Sequence, residues 1–146
     1  MKTFTLDEAQ SLLPLVESLL NRAMEARQAA QAIEDELTEL SHRIFLMGGM
    51  RVDLERVIER KAGLESHGKR AKESVAEIDA IGVQVKDIEA GLLDFPCRLD
   101  GEIVLLCWKR GETEIGFWHS MESGFRGRQV IDDRFRRRSA MGGRPN

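Results

Sequence analysis

Val16-Glu17-Ser18-Leu19-Leu20-Asn21-Arg22-Ala23-Met24-Glu25-Ala26 opens the stretch that decides the fold. From Val16 the apolar positions run Val16, Leu19, Ala23, Ala26, Ala30, Ile33, Leu37, Leu40, Ile44 and Met47, alternately three and four apart. That period is a narrow helical seam, the coiled-coil-like kind that two helices bury against each other. Gly48-Gly49 ends it, because glycine takes the left-handed cap conformation at little steric cost. The same spacing returns at Leu54, Val57, Lys61, Leu64, Gly68, Ala71, Val75 and Ile78. If Gly48-Gly49-Met50 turns tightly, the two seams meet in one antiparallel register. Ile44 then faces Leu54, Leu40 faces Val57, Ile33 faces Leu64, Ala30 faces Gly68 and Leu19 faces Ile78. Lys61 falls opposite Leu37, and its stem is expected to snorkel toward Glu34 or Glu36.

Working outward, Thr5-Leu6-Asp7-Glu8 is a capping box that starts the first helix. Pro14 lies inside that helix and is expected to kink or restart it. Leu13, Leu20 and Met24 are apolar but off the seam, at the open end of the hairpin, and need a cover. The chain supplies one. Ile81 to Asp87 changes to a period of two, Gly91 to Leu99 reads as a loop and strand with Pro96 at an edge or bulge, and Asp100-Gly101 is a two-residue hairpin signal. Glu102 to Trp108 and Glu114 to His119 complete a meander around Arg110-Gly111. The expected fold is therefore α+β: a long antiparallel helical hairpin over residues 5–81, with a three- or four-stranded antiparallel sheet at its open end. Residues 1–131 form one domain in this reading, with the sheet in 82–131. Residues 132–146 are a mobile arginine-rich tail.

Composition narrows the class. Apolar residues make up 42% of 146, enough for one core, and no run is long enough for a membrane span. The start meets Asp7 and Glu8 at once and has no apolar leader core, so no signal peptide is expected. Two cysteines make no disulfide framework, which points to a reducing cytoplasm. The net charge is -3, but residues from Phe125 onward hold seven arginines against two aspartates. Arg134, Arg136, Arg137 and Arg138 are the part of this tail suited to weak, non-specific contact with nucleic acid.

Candidate chemistry sits on the sheet. With Asp100-Gly101 as the loop, Cys97 faces Val104 and Asp94 faces Cys107. With Arg110-Gly111 as the next loop, Cys107 faces Glu114, or Ile115 if that turn differs by one residue, and His119 lies at the far end of its strand. Cysteine, carboxylate and histidine are competent metal ligands, but no paired-ligand spacing accompanies them. An aspartate beside Cys107 disfavours the thiolate, which argues against a cysteine nucleophile. Gly124-Phe125-Arg126-Gly127-Arg128 suits an anion. Lys86, Asp94, Cys107, Glu112, His119 and Arg128 are thus the candidate ligand or metal residues. His42 and His67 are lone helical histidines expected to face solvent. Trp108 and Trp118 are core or interface residues.

The chain resembles a bacterial family, domain of unknown function 2203. The resemblance rests on Phe4-Thr5-Leu6-Asp7-Glu8-Ala9 with Leu12-Leu13-Pro14, on Gly82-Val83 with Lys86-Asp87, and on Gly91-Leu92-Leu93-Asp94-Phe95-Pro96. It continues in Leu106-Cys107-Trp108 with Gly111-Glu112, in Ile115 with Trp118-His119, and in Gly124-Phe125 with Gly127-Arg128. It implies a cytoplasmic bacterial protein of unknown activity, with relatives labelled as cell-division proteins through their coiled coils. The leading functional expectation is a non-enzymatic interaction or scaffold protein, homodimeric, engaging a protein partner through its helices or sheet, with no cofactor. The alternatives are a small metal- or anion-binding enzyme with its site on the sheet, using a divalent metal, and nucleic-acid binding through the tail.

Overall fold

The computed structural model describes residues 1–49 and 51–136. Two helices, α1 (Leu6–Leu46) and α2 (Leu54–Ile81), precede five strands. These are β1 (Gln84–Asp87), β2 (Leu92–Leu99), β3 (Glu102–Lys109), β4 (Phe117–Ser120) and β5 (Gln129–Val130). A 3-10 turn, η1 (Phe125–Gly127), lies between β4 and β5. The strands form one antiparallel sheet in the order β1-β2-β3-β4-β5, so the fold is α+β as the periodicities predict. The sheet has five strands where the meander predicts three or four, Gln129 and Val130 adding a last one on β4.

The described residues divide into two compact units, residues 1–20 with 76–136, and residues 21–75. In the second unit the helices pack antiparallel. Glu36 on α1 accepts from Nε of Arg60 on α2 at 3.0 Å and lies 3.6 Å from Arg56. A methyl group built on Gly63 would meet Ile33 at 3.4 Å. Glu36 therefore takes arginine, where Lys61 was the expected partner, and Lys61 stays exposed. His42 is exposed and His67 half-buried. The end of α1 is closed as the double glycine predicts. The N–H of Gly49 donates to the carbonyl of Ile44 at 2.9 Å and Gly48 holds φ 67°. That is a Schellman cap. Met50 lies outside the described residues. Asp53 caps α2, accepting from the N–H of Arg56 at 3.2 Å.

In the first unit, Thr5 and Glu8 exchange the two hydrogen bonds of the capping box, at 2.8 and 3.1 Å. Pro14 does not restart the helix: α1 runs through it without a break, and Pro14 is exposed. Leu13 and Leu20, the off-seam residues, are buried. One face of the sheet supplies Leu93, Phe95, Val104, Leu106 and Trp108 to the core, all buried. The ring of Phe4 meets that of Phe95 edge-on, with centroids 5.9 Å apart. Pro96 sits beyond the residues that β1 pairs, so its missing N–H costs no ladder bond there. Its carbonyl accepts from the N–H of Phe4 at 2.7 Å. Burial continues past Ile131. Phe135 is buried against Trp118, with ring centroids 5.5 Å apart, and Trp108 and Trp118 are both buried. Arg134 pairs with Asp132 and lies 3.7 Å from Asp100. Arg136 is exposed, while Arg137, Arg138 and the rest of the expected tail lie outside the described residues.

Candidate metal centre

The turn between β2 and β3 sets the site. Asp100 and Gly101 both hold positive φ, 49° and 83°, as a two-residue type I′ loop requires. Facing residues then follow: Asp94 pairs with Cys107, and Cys97 with Val104. Opposed residues share a face of the sheet, so Asp94 and Cys107 stand side by side.

The next connection departs from the expected one. The loop between β3 and β4 runs from Arg110 to Gly116, and Cys107 faces Phe117, not Glu114. Glu114 is exposed. The longer loop is held by Glu112. Its carboxylate accepts from the N–H of Lys109 at 2.7 Å, and its carbonyl accepts from the indole of Trp108 at 3.0 Å. The shift from residue 114 to 117 is odd, so it moves every β4 side chain to the opposite face. His119, now opposite Leu105, stands on the face of Cys107 and one row away. It is not remote from Cys107.

Asp94, Cys107 and His119 converge: one ligand atom from each lies within 4.8 Å of the others. All three are buried, at 2%, 1% and 3% exposure. Nε2 of His119 is 3.1 Å from both carboxylate oxygens of Asp94. Nδ1 is 2.7 Å from the carbonyl oxygen of Ser120. A carbonyl only accepts, so Nδ1 carries a hydrogen and donates it. In the neutral ring the Nε2 lone pair then faces a carboxylate. That contact is satisfied by a proton shared with Asp94 or by a metal ion between the two groups.

Two further candidates flank the trio. The guanidinium of Arg128 lies over the rings of Phe117 and Phe125, at 4.0 and 4.6 Å. Its Nη2 donates to Glu112 at 2.8 Å and to the carbonyl of Cys107 at 3.3 Å. Its Nε is buried and has no acceptor among the described residues. Burial, and then the Asp94 carboxylate, push the Cys107 thiol up to about 11, and the Arg128 guanidinium offsets this only in part. Burial works against the charge on Arg128, but the hydrogen bond to Glu112 and the neighbouring Cys107 outweigh it and raise its pKa. Lys86 is the candidate left out. The register slips between Val85 and Asp87, and Lys86 sits exposed at that bulge.

The trio is therefore poorly suited to nucleophilic catalysis, since the thiol is neutral near pH 7. It is well suited to a cation. Cysteine, imidazole and carboxylate are the ligands of zinc and neighbouring divalent metals. A ligating histidine characteristically donates its other N–H to a carbonyl or carboxylate, the role Ser120 fills here. Sequence reasoning named every member of the trio. It missed Ser120, for which no sequence signal exists because the contact is through its backbone.

Among the described residues, no helix is long and apolar enough to cross a membrane. No curated protein and no solved structure matches the chain. A family model, that of an uncharacterized conserved protein, matches residues 2–131. The chain belongs to that family, DUF2203.

Proposed function

We propose that this protein binds a divalent transition metal, zinc by its donor set, through Asp94, Cys107 and His119. One observation carries the reading. The imidazole of His119 is fixed by Ser120 so that Nε2 stands 3.1 Å from the Asp94 carboxylate, in a buried spot also shared by Cys107. Three protein ligands leave a fourth coordination position open, which is the pattern of catalytic rather than purely structural zinc sites. The test is metal content by elemental analysis after exposure to zinc and gel filtration. About one zinc per chain is expected in the wild type, with loss in Cys107→Ser and in His119→Ala. Circular dichroism confirms that the variants fold. Wild-type protein that leaves the column without stoichiometric zinc sinks the reading.

A second reading, an interaction or scaffold protein, is favoured by a different observation. In the helical unit, Phe45, Leu46, Met47, Leu54 and Ile58 are exposed at 81%, 66%, 69%, 67% and 59%. Exposed apolar residues gathered at the turn end of a helical hairpin suit a protein partner or a second copy of the chain. Light scattering tests the dimer, and a monomer at micromolar concentration removes it. The nucleic-acid reading rests on Arg136 with residues outside the described part, since Arg134 is already held by Asp132 and Asp100.

A further inference from the structure

Resting on the metal reading, we infer that the fourth coordination position takes a small ligand bearing a carboxylate or oxyanion group, with Arg128 as its second anchor. Two facts point there. The trio offers three protein ligand atoms, so a tetrahedral ion lacks one donor from these residues. Beside it, Arg128 keeps a buried Nε–H with no acceptor among the described residues, whereas its Nη2 is occupied by Glu112 and Cys107. An orphaned buried donor is costly, and one next to a half-built site is a place where a ligand supplies what the protein does not.

The class of ligand follows from the two groups that would hold it. A metal ion asks for a lone pair, and a guanidinium N–H asks for an acceptor oxygen. A carboxylate meets both at once, one oxygen on each, and the charge-assisted bond to arginine is the stronger kind. Arg128 is also immobilised in advance. Its plane is held by Phe117 and Phe125, and Glu112 fixes one edge. A ligand therefore meets a fork already in position, with little side-chain entropy left to lose. The ion pair with Glu112 does not consume the site, because it uses Nη2 and leaves Nε. This edge is the less buried side of the site. The side chains of Arg128 and Glu112 are 14% and 24% exposed, whereas those of His119 and Asp94 are 4% and 2% exposed. Phe125 beside them is 39% exposed. The apolar rings there fit a small organic acid.

Cobalt(II) in place of zinc gives the test, because its visible bands report on every ligand in the first coordination sphere. Full-length protein is loaded with cobalt and titrated with acetate, using chloride as the control for generic anion binding. The wild type is expected to show a saturable change in the visible bands with acetate and not with chloride. Arg128→Met should keep the thiolate–cobalt charge-transfer band, which shows that fold and metal site survive, and bind acetate at least about tenfold more weakly. Arg128→Lys should recover part of that loss, since it restores charge without the fork. A wild-type spectrum unmoved by acetate, or an equal response in Arg128→Met, overturns the inference and leaves the metal reading standing. If the wild type shows no thiolate–cobalt band at all, the metal reading fails and takes this inference with it.

Discussion

Replacing Asp94 or His119 singly by leucine, in metal-free protein, should be among the most damaging changes available in the sheet. The two side chains are 2% and 4% exposed and lie 3.1 Å apart. Asp94→Leu leaves His119 with one ring nitrogen on Ser120 and the other facing hydrocarbon. His119→Leu leaves a carboxylate buried beside Cys107, whose own thiol already resists ionisation. Breaking a buried pair by removing one partner costs about 3–5 kcal/mol, most of it the desolvation of the group left behind. For a domain of this size each kcal/mol moves Tm by roughly 3–5 °C, so a fall of about 10–20 °C is expected. The double variant Asp94→Leu/His119→Leu leaves neither group stranded, and it should be far more stable than the sum of the singles implies. Urea denaturation of the four proteins gives the coupling directly, and a value above about 1.5 kcal/mol is expected. Losses that simply add, or singles within about 0.5 kcal/mol of wild type, would refute the buried-pair account.

Alkali should weaken the metal-free protein through Cys107. Its pKa is raised from 9.0 to about 11, so the stabilisation is fully present below about pH 9 and is lost as pH rises through 11. The loss approaches about 3 kcal/mol by urea denaturation across that window, and Cys107→Ser should remove the step. Gly68→Ala, in the interior of α2 with no atom within 4 Å of the new methyl, should stabilise by about 0.5–1 kcal/mol. Gly91→Ala should do the reverse, by more than about 1 kcal/mol. There φ is +73° and the new methyl would sit 2.6 Å from Cβ of Arg110. Thermal melts of both variants check the opposite signs.

What the sequence discloses here depends on how locally each feature is determined. The helices are legible because an apolar spacing of three and four repeats over many turns, and because Thr5, Glu8, Gly48 and Gly49 each perform a capping role written in their own chemistry. The pairing of Asp94 with Cys107 is legible for the same reason: Asp100-Gly101 admits one turn type and so fixes the register. The pairing of Cys107 with β4 is not. Arg110-Gly111 resembles a turn, but the loop is closed further on by the Glu112 carboxylate and the Trp108 indole, contacts that exist only once the sheet is formed. That error is small in residues and large in consequence, since an odd shift exchanges the faces. A two-residue turn puts Glu114 where Phe117 stands, and His119 at the far end of its strand rather than one row from Cys107. Phe135 was hidden among arginines in a segment whose composition reads as a solvated tail, and its burial on Trp118 is a tertiary event.

The two faces of the sheet serve different ends. Phe95, Leu106 and Trp108 on one face are apolar and buried, and stability requires nothing more of them. On the other face Asp94, Cys107 and His119 are equally buried, although leucine or valine there would remove the desolvation cost at the same volume. Retaining three polar groups in that position makes sense if a ligand uses them. The double-leucine variant separates these two demands. A fold as stable as wild type that no longer takes up zinc assigns the trio to binding. If the wild type takes up no zinc either, and the double variant is markedly less stable than wild type, the pair belongs to the architecture alone, as a polar contact that holds β4 in register against β2.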